Sequence, residues 1–246
     1  MQKFIAQSGK FSRRAAETLI REGKVLVNHK EVAQIGDSID PSVDTVCVEG
    51  KRISPKELVY FIFNKPLKVL CSRADPQGRS CYHELLNTPI RHLNYAGRLD
   101  FMSEGLLILS NDGLFNHRLT HPRYGIRKHY HVWVNHTRGL NAFLQKVVSK
   151  GIKDHGEILK AETAHILDAK GDNVMIEIVL LDGKNREIRR MMSHGNTQVQ
   201  RLLRFQVGPI SLDGVRTGKC RSFNPNERNF VKKLITILPQ NKHVPS

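Results

Sequence analysis

The chain has 246 residues, enough for one medium domain with a small companion and too few for three ordinary domains. Hydrophobic residues make up 39% and charged residues 25%, a globular balance that excludes a disordered tail protein or a collagen-like repeat. Lys and Arg number 39 against 23 Asp and Glu, a net charge of +16 that favours a polyanionic partner, nucleic acid ahead of an anionic membrane surface. The longest apolar runs, such as Val174 to Leu181 with Glu177 inside it, fall short of the roughly 20 residues that a membrane span needs. The N-terminus carries no apolar block of the secretory kind, and Cys47, Cys71, Cys81 and Cys220 show no C-x-x-C spacing. The reading therefore expects a cytoplasmic protein without a membrane partner, a disulfide framework or a zinc knuckle.

In chain order, Ser12 is a candidate N-cap, and Ala15, Ala16, Leu19 and Ile20 recur at helical spacing until Gly23. Arg14, Thr18 and Arg21 fall opposite that apolar stripe, with Arg13 at its flank. Lys24 to Val27 reads as a strand, Asn28-His29-Lys30 as a turn, and Thr45 to Val48 as a second strand. Residues 1–30 hold seven basic side chains against Glu17 and Glu22, whereas residues 31–50 hold five acids and no base. Positive charge is thus concentrated on the helix and first strand of a unit spanning 1–50.

Gly50 to Glu57 looks like a linker, assigned to residues 51–58. Beyond it, Val59 to Phe63 is a strand stopped by Asn64-Lys65-Pro66, and Asp75 to Gly78 is a turn. Leu106 to Leu109 and Lys128 to Val134 read as strands, the latter with Tyr130, Val132 and Val134 on one face and His129, His131 and Trp133 on the other. Leu140 to Val148 gives a helical stripe, and Val174 to Leu181 is the most continuous strand. Strands outnumber helices without a regular βαβ rhythm, so the class is α+β with a mainly antiparallel mixed sheet over residues 59–240, followed by a tail at 241–246.

Three segments carry candidate chemistry. Asp100 lies in a Gly-bounded loop just before an apolar strand, where a carboxylate can be presented to a pocket; an Asx turn or a helix cap is the other use of such a residue. Asp112, followed by Gly113, reads as a turn residue. Residues 186–204 hold five arginines and one acid, and if 185–192 is helical, Ile188, Met191 and Met192 face inward while Arg186, Arg189 and Arg190 form a basic face suited to phosphate. Tyr130 beside Lys128 is either a core aromatic or a ring that stacks on a flipped base.

Phe4-Ile5-Ala6, Ser12-Arg13-Arg14-Ala15-Ala16 and Gly23-Lys24-Val25-Leu26-Val27-Asn28 resemble the small alpha-L RNA-binding domain first described in a ribosomal small-subunit protein. Gly97-Arg98-Leu99-Asp100, Glu104-Gly105-Leu106-Leu107-Ile108-Leu109-Ser110-Asn111-Asp112-Gly113, His121-Pro122, Lys128-x-Tyr130, Asn185 to Met191 and Arg204-x-x-Val207-Gly208, in this order, resemble the RsuA-like family of ribosomal RNA pseudouridine synthases. Phe101-Met102-Ser103 departs from the stretch often found in that family. The resemblance implies a pseudouridine synthase fold, Asp100 as catalytic aspartate, Tyr130 as the active-site tyrosine that stacks on the base, and Arg189 as the basic residue paired with the aspartate. RNA contacts are expected from Arg13, Arg14, Arg21, Lys24, Arg98, Lys128, Arg186 and Arg190.

The implied reaction, uridine to pseudouridine, breaks the N1 glycosidic bond and joins C5 to C1′ with no redox change, so no cofactor and no metal are expected. The partner is ribosomal RNA or a pre-ribosomal particle, with large-subunit rRNA preferred, and the chain is expected to be a monomer. A non-catalytic RNA-binding or ribosome-assembly factor is the alternative. A metal-dependent nuclease is a third class, disfavoured because the 12 histidines are scattered without ligand spacing.

Overall fold

The computed structural model describes residues 1–28, 30–31, 35–135, 138–171 and 173–236, so the tail at 241–246 and His29 of the expected turn lie outside it. The chain divides into two compact units, Met1–Val59 and Tyr60–Ser246.

In the first unit, helices α1 (Gln2–Gln7) and α2 (Arg13–Arg21) precede strands β1 (Val25–Val27), β2 (Lys30–Glu31), β3 (Val46–Val48) and β4 (Lys51–Ile53). Ser12 caps α2 as the sequence predicts, its side chain accepting the Ala15 N–H at 3.1 Å. Phe4, Ile5, Ala16, Ile20, Val25, Val46 and Val48 form the core, leaving Arg13, Arg14 and Arg21 exposed. The expected linker starts as structure: β4 pairs antiparallel with β3, Val46 opposite Ile53. A buried Ile53 on that edge outweighs the polar composition around it.

The second unit contains β5 (Tyr60–Lys65), β6 (Asn94–Ala96), β7 (Glu104–Ser110), α3 (Gly113–Thr120), β8 (Lys128–Asn135), α4 (Leu140–Ser149), β9 (Ile152–Asp154) and β10 (Glu157–Leu159). It continues with β11 (Thr163–Lys170), β12 (Asn173–Leu180), α5 (Glu187–His194), β13 (Val199–Val207), β14 (Ile210–Ser211), β15 (Cys220–Ser222) and α6 (Pro225–Thr236). Its main sheet runs β11-β12-β8-β13-β7-β5-β15, with β6 and β14 paired at the side. Among the described residues its strand pairs are antiparallel except β13 with β7, where Leu203 lies opposite Glu104 and Arg204 opposite Gly105. The expected α+β class with a mainly antiparallel mixed sheet is what is found.

That short parallel pair is a seam between two cores. On one side, Tyr130, Val132 and Val134 of β8 pack with Ile176 and Ile178 of β12, Leu144 of α4, and Ile188 and Met191 of α5. On the other, Tyr60, Ile62, Leu106 and Ile108 pack with Phe115 of α3 and Val231 of α6. Gly105 makes the seam possible: a Cβ there would sit 2.4 Å from the Arg204 carbonyl oxygen, at a φ of +103°. Among the described residues, no helix is long and apolar enough to cross a membrane.

Candidate active site

The loop 97–103, between β6 and β7, carries Asp100. Gly97 turns the chain into it with a φ of +77°. Leu99 anchors it, its side chain in the first core and its N–H donating to the Cys71 Sγ at 3.5 Å. Two arginines from distant elements then hold the loop on either side of the aspartate. Arg204, 3% exposed, donates to the carbonyls of Gly97 at 3.2 Å, Arg98 at 3.4 Å and Leu106 at 2.9 Å. Arg189 donates to the carbonyl of Met102 at 2.5 Å and to that of Val199 at 3.1 Å. The backbone around Asp100 is therefore set by long-range, charge-assisted bonds as well as by its own turn, in which the Ser103 N–H donates to the Asp100 carbonyl at 3.0 Å.

The Asp100 carboxylate is left over. It makes no hydrogen bond or ion pair with any described residue, and it lines a cleft of about 490 Å³. The other use of such a residue, a cap, is realised at Asp112, whose carboxylate accepts the N–H groups of Leu114 and Phe115 at 2.9 and 3.1 Å and the hydroxyl of Tyr60 at 2.9 Å. The sequence reads Asp112 as a turn; it is the N-cap of α3.

Tyr130 lines the same cleft from β8, with Leu180, Ile188 and Leu202 as an apolar wall and Arg98 and Arg186 at its exposed rim. The ring belongs both to the core cluster and to the cleft, so its core position and its place in the cleft wall coincide. Arg186 precedes α5 with a φ of +48°, outside the helix that the spacing gave it.

Burial shifts the charged groups in and around the cleft. Burial pushes the pKa of Lys65 down to about 8, against the pull of nearby groups that include Asp100 and Glu104. Its ammonium, fully buried, donates to the carbonyls of Pro66 and Val69, each at 2.8 Å. Burial lowers the pKa of Arg189, Arg186 lowers it further, and Asp100 opposes both. Burial raises the pKa of Glu187, whose Oε2 accepts the Lys184 N–H at 3.0 Å while Oε1 is buried without a partner.

Three residues differ from their sequence roles. Arg189 was expected to pair with the aspartate; its guanidinium bonds two main-chain carbonyls instead, and Asp100 reaches it as a nearby charge. Lys128 was expected at RNA, yet the alternation that puts Tyr130 inward puts Lys128 inward too. Its ammonium donates to Leu181 O at 2.8 Å and Ile126 O at 3.3 Å, and burial and then Arg204 push its pKa to about 8. Arg190 is clasped by Asp154 at 2.5 Å and Glu157 at 2.8 Å. In the first unit Lys24 is exposed but pairs with Glu22 at 2.7 Å. Sequence reasoning gave no role to Lys65 and counted Arg204 only among the arginines suited to phosphate, whereas it holds the loop of Asp100. Their signals were Asn64-Lys65-Pro66 closing a hydrophobic strand, and an arginine alternating with buried residues on β13.

A carboxylate without competing bonds, an aromatic ring in the same cleft and a rim of arginines suit an enzyme that acts on a nucleotide taken out of its strand. The profile described as RNA pseudouridylate synthase matches residues 59–194, and that of the S4 domain matches residues 2–43. The chain is 35% identical to ribosomal large subunit pseudouridine synthase B of Bacillus subtilis over 247 aligned residues, covering 99% of this chain and 98% of that protein. It is also 35% identical to an RNA pseudouridine synthase of Aquifex aeolicus, covering 100% and 96% of the two chains. A crystal structure of a pseudouridylate synthase superposes with a TM-score of 0.64 at 26% identity, covering 95% of this chain and 98% of the other. The chain belongs to the RNA pseudouridylate synthase family and is an enzyme that isomerises uridine in RNA, with an N-terminal S4 domain. The non-catalytic alternative is not favoured.

Proposed function

We propose that the substrate is a uridine of ribosomal RNA, in the large subunit, and that Asp100 and Tyr130 are the catalytic residues with Arg189 positioning the aspartate. The observation that carries the assignment is the Asp100 carboxylate, bonded to no described residue in a cleft it shares with Tyr130. In the reaction the N1–C1′ bond breaks, the C5–C1′ bond forms, C5 loses its proton and N1 gains one. Attack of a carboxylate on C1′ and removal of a sugar proton by it are two routes that use the same group at the same place. Extruding the base costs a few kcal/mol, and stacking on Tyr130 returns about 1–3 kcal/mol of it.

Arg13, Arg14 and Arg21 on the exposed face of α2 suit phosphate contact, with Lys24 tempered by Glu22. Arg98 and Arg186 suit the RNA backbone at the rim of the cleft, whereas Lys128 and Arg190 are engaged within the protein. The reading takes the chain as a monomer acting in the cytoplasm without metal or cofactor. The likeness to the large-subunit synthase of Bacillus subtilis supports the large subunit. Mapping pseudouridines in both rRNAs from cells with and without the gene tests it: loss at large-subunit uridines is expected, and identical large-subunit maps contradict it.

A further inference from the structure

Arg186 lines the Asp100 cleft and also a second cavity of about 460 Å³. Arg189, Arg190 and Ser193 of α5 form one wall of that cavity, and residues 196–199, leading into β13, form the other. We propose that this cavity is a subsite for a nucleotide flanking the target uridine, its phosphate between Arg186 and Arg189 and its base edge read by the side-chain amides of Asn196 and Gln198. The proposal rests on the reading of the Asp100 cleft as the target site.

The cavity carries uncompensated charge. Arg190 is neutralised by Asp154 and Glu157, but the Arg186 side chain has no hydrogen-bond or ion-pair partner among the described residues. Arg186 depresses the pKa of Arg189, so the two cations repel each other across the cavity they share. The Arg189 Nε is buried with no acceptor. Buried N–H groups are bonded in native proteins, and a half-buried arginine with one orphan donor beside a second, unpaired arginine is short of an anion. The planar guanidinium suits a phosphate better than an ammonium does.

The backbone is left-handed at both ends of α5. Arg186 and Asn196, at opposite ends of α5, hold φ values of +48° and +52°. Asn tolerates the left-handed region; for Arg it is strained, and such strain is retained where it aims a side chain.

The far wall offers amide chemistry. Asn196 and Gln198 are exposed, and neither side chain is bonded to a described residue. Each amide offers a donor and an acceptor side by side, the pattern that pairs with a base edge, whereas a cavity built only for phosphate needs neither. A nucleotide here is continuous with one in the cleft because Arg186 belongs to both.

The experiment uses the full chain and unmodified in vitro transcripts of the large- and small-subunit rRNAs. The transcript that is modified is then remade with each of the four bases on either side of its target uridine. The wild type is expected to prefer one base at one flank by roughly tenfold in kcat/KM, the effect of one good base-edge contact. The N196A/Q198A double variant is expected to narrow that preference to within about twofold, by raising KM of the preferred transcript while kcat holds. Arg186→Ala is expected to raise KM for all four alike and to lower the salt slope by about 0.7. An N196A/Q198A variant that keeps the wild-type ranking and KM overturns the subsite, as does a wild type indifferent at both flanks. Absence of wild-type turnover on every transcript rejects the ribosomal RNA reading, and this subsite with it.

Discussion

Arg189 donates to the Met102 carbonyl at 2.5 Å, and through that bond helix α5 is tied to the loop two residues beyond Asp100. Arg204 makes the matching bonds before the aspartate, to Gly97 and Arg98. The consequence is a carboxylate held in place through its backbone while its oxygens stay unbonded in the cleft, an arrangement that a direct ion pair to Arg189 would oppose.

Arg189→Lys keeps the charge but offers one ammonium in place of a fork that spans the carbonyls of Met102 and Val199. Turnover is expected to fall by roughly 10- to 100-fold, the loss a small misplacement of a reacting group produces, with KM little changed. Single-turnover rates at saturating RNA measure this, and a lysine variant as fast as the wild type contradicts the positioning role.

The seam between β7 and β13 is the other support of the loop. Gly105→Ala would place a methyl 2.4 Å from Arg204 O and 2.6 Å from Leu203 Cδ1 at a φ of +103°. Overpacking of this kind costs about 3 kcal/mol or more, and a Tm lower by on the order of 6–12 °C is expected from thermal unfolding. An unchanged Tm would mean that the strands part easily, and that the seam does not fix Arg204.

Tyr130 has two separable parts, ring and hydroxyl. Tyr130→Leu is expected to weaken binding of the extruded base by about 1–3 kcal/mol, seen as a roughly 5- to 150-fold rise in KM. Tyr130→Phe keeps the stack and is expected to bind RNA normally but turn over slowly if, as the family resemblance implies, the hydroxyl assists proton transfer at C5. A phenylalanine variant with wild-type kcat would remove the hydroxyl from the mechanism.

Lys65 and Lys128 each have a pKa of about 8 in the folded protein against an ordinary 10.5. Between those values the unfolded chain binds more protons than the folded one, so stability rises as pH climbs from 8 to 10.5, and the cost of burying the two charges is fully present below 8. Lys65→Met is expected to flatten this rise by about half, since one of two equal contributions disappears. Urea unfolding at pH 8 and pH 10 measures the slope. A variant with the wild-type slope would show that Lys65 is not the group that titrates.

Periodicity revealed the strands that place Tyr130 and the helix that places Ile188, because both alternate buried and exposed positions over many residues. It also carried Arg189 to the right element. Its partner was not legible, since whether an arginine bonds a carboxylate or a carbonyl depends on loop geometry that spacing does not encode. Lys128 shows the same limit: it alternates in phase with Tyr130, and the pattern already implied an inward side chain that its charge disguised. Lys65 and Arg204 were hidden because buried cations look like surface ones in sequence, and only the carbonyls around them account for their burial. Asp112 became a cap because Gly113 starts a short helix whose buried apolar residues, Phe115 and Leu119, are too few to announce it.

The central claim is that the Asp100 carboxylate does chemistry and little else. Release of tritium from C5-labelled uridine in unmodified rRNA transcripts, measured for wild type and Asp100→Asn together with RNA affinity, tests it most directly. The predicted result is no release above background by the variant, with an RNA Kd within about twofold of the wild type because phosphate contacts come from other residues. Tritium release by a folded Asp100→Asn protein at a rate near that of the wild type would contradict the account.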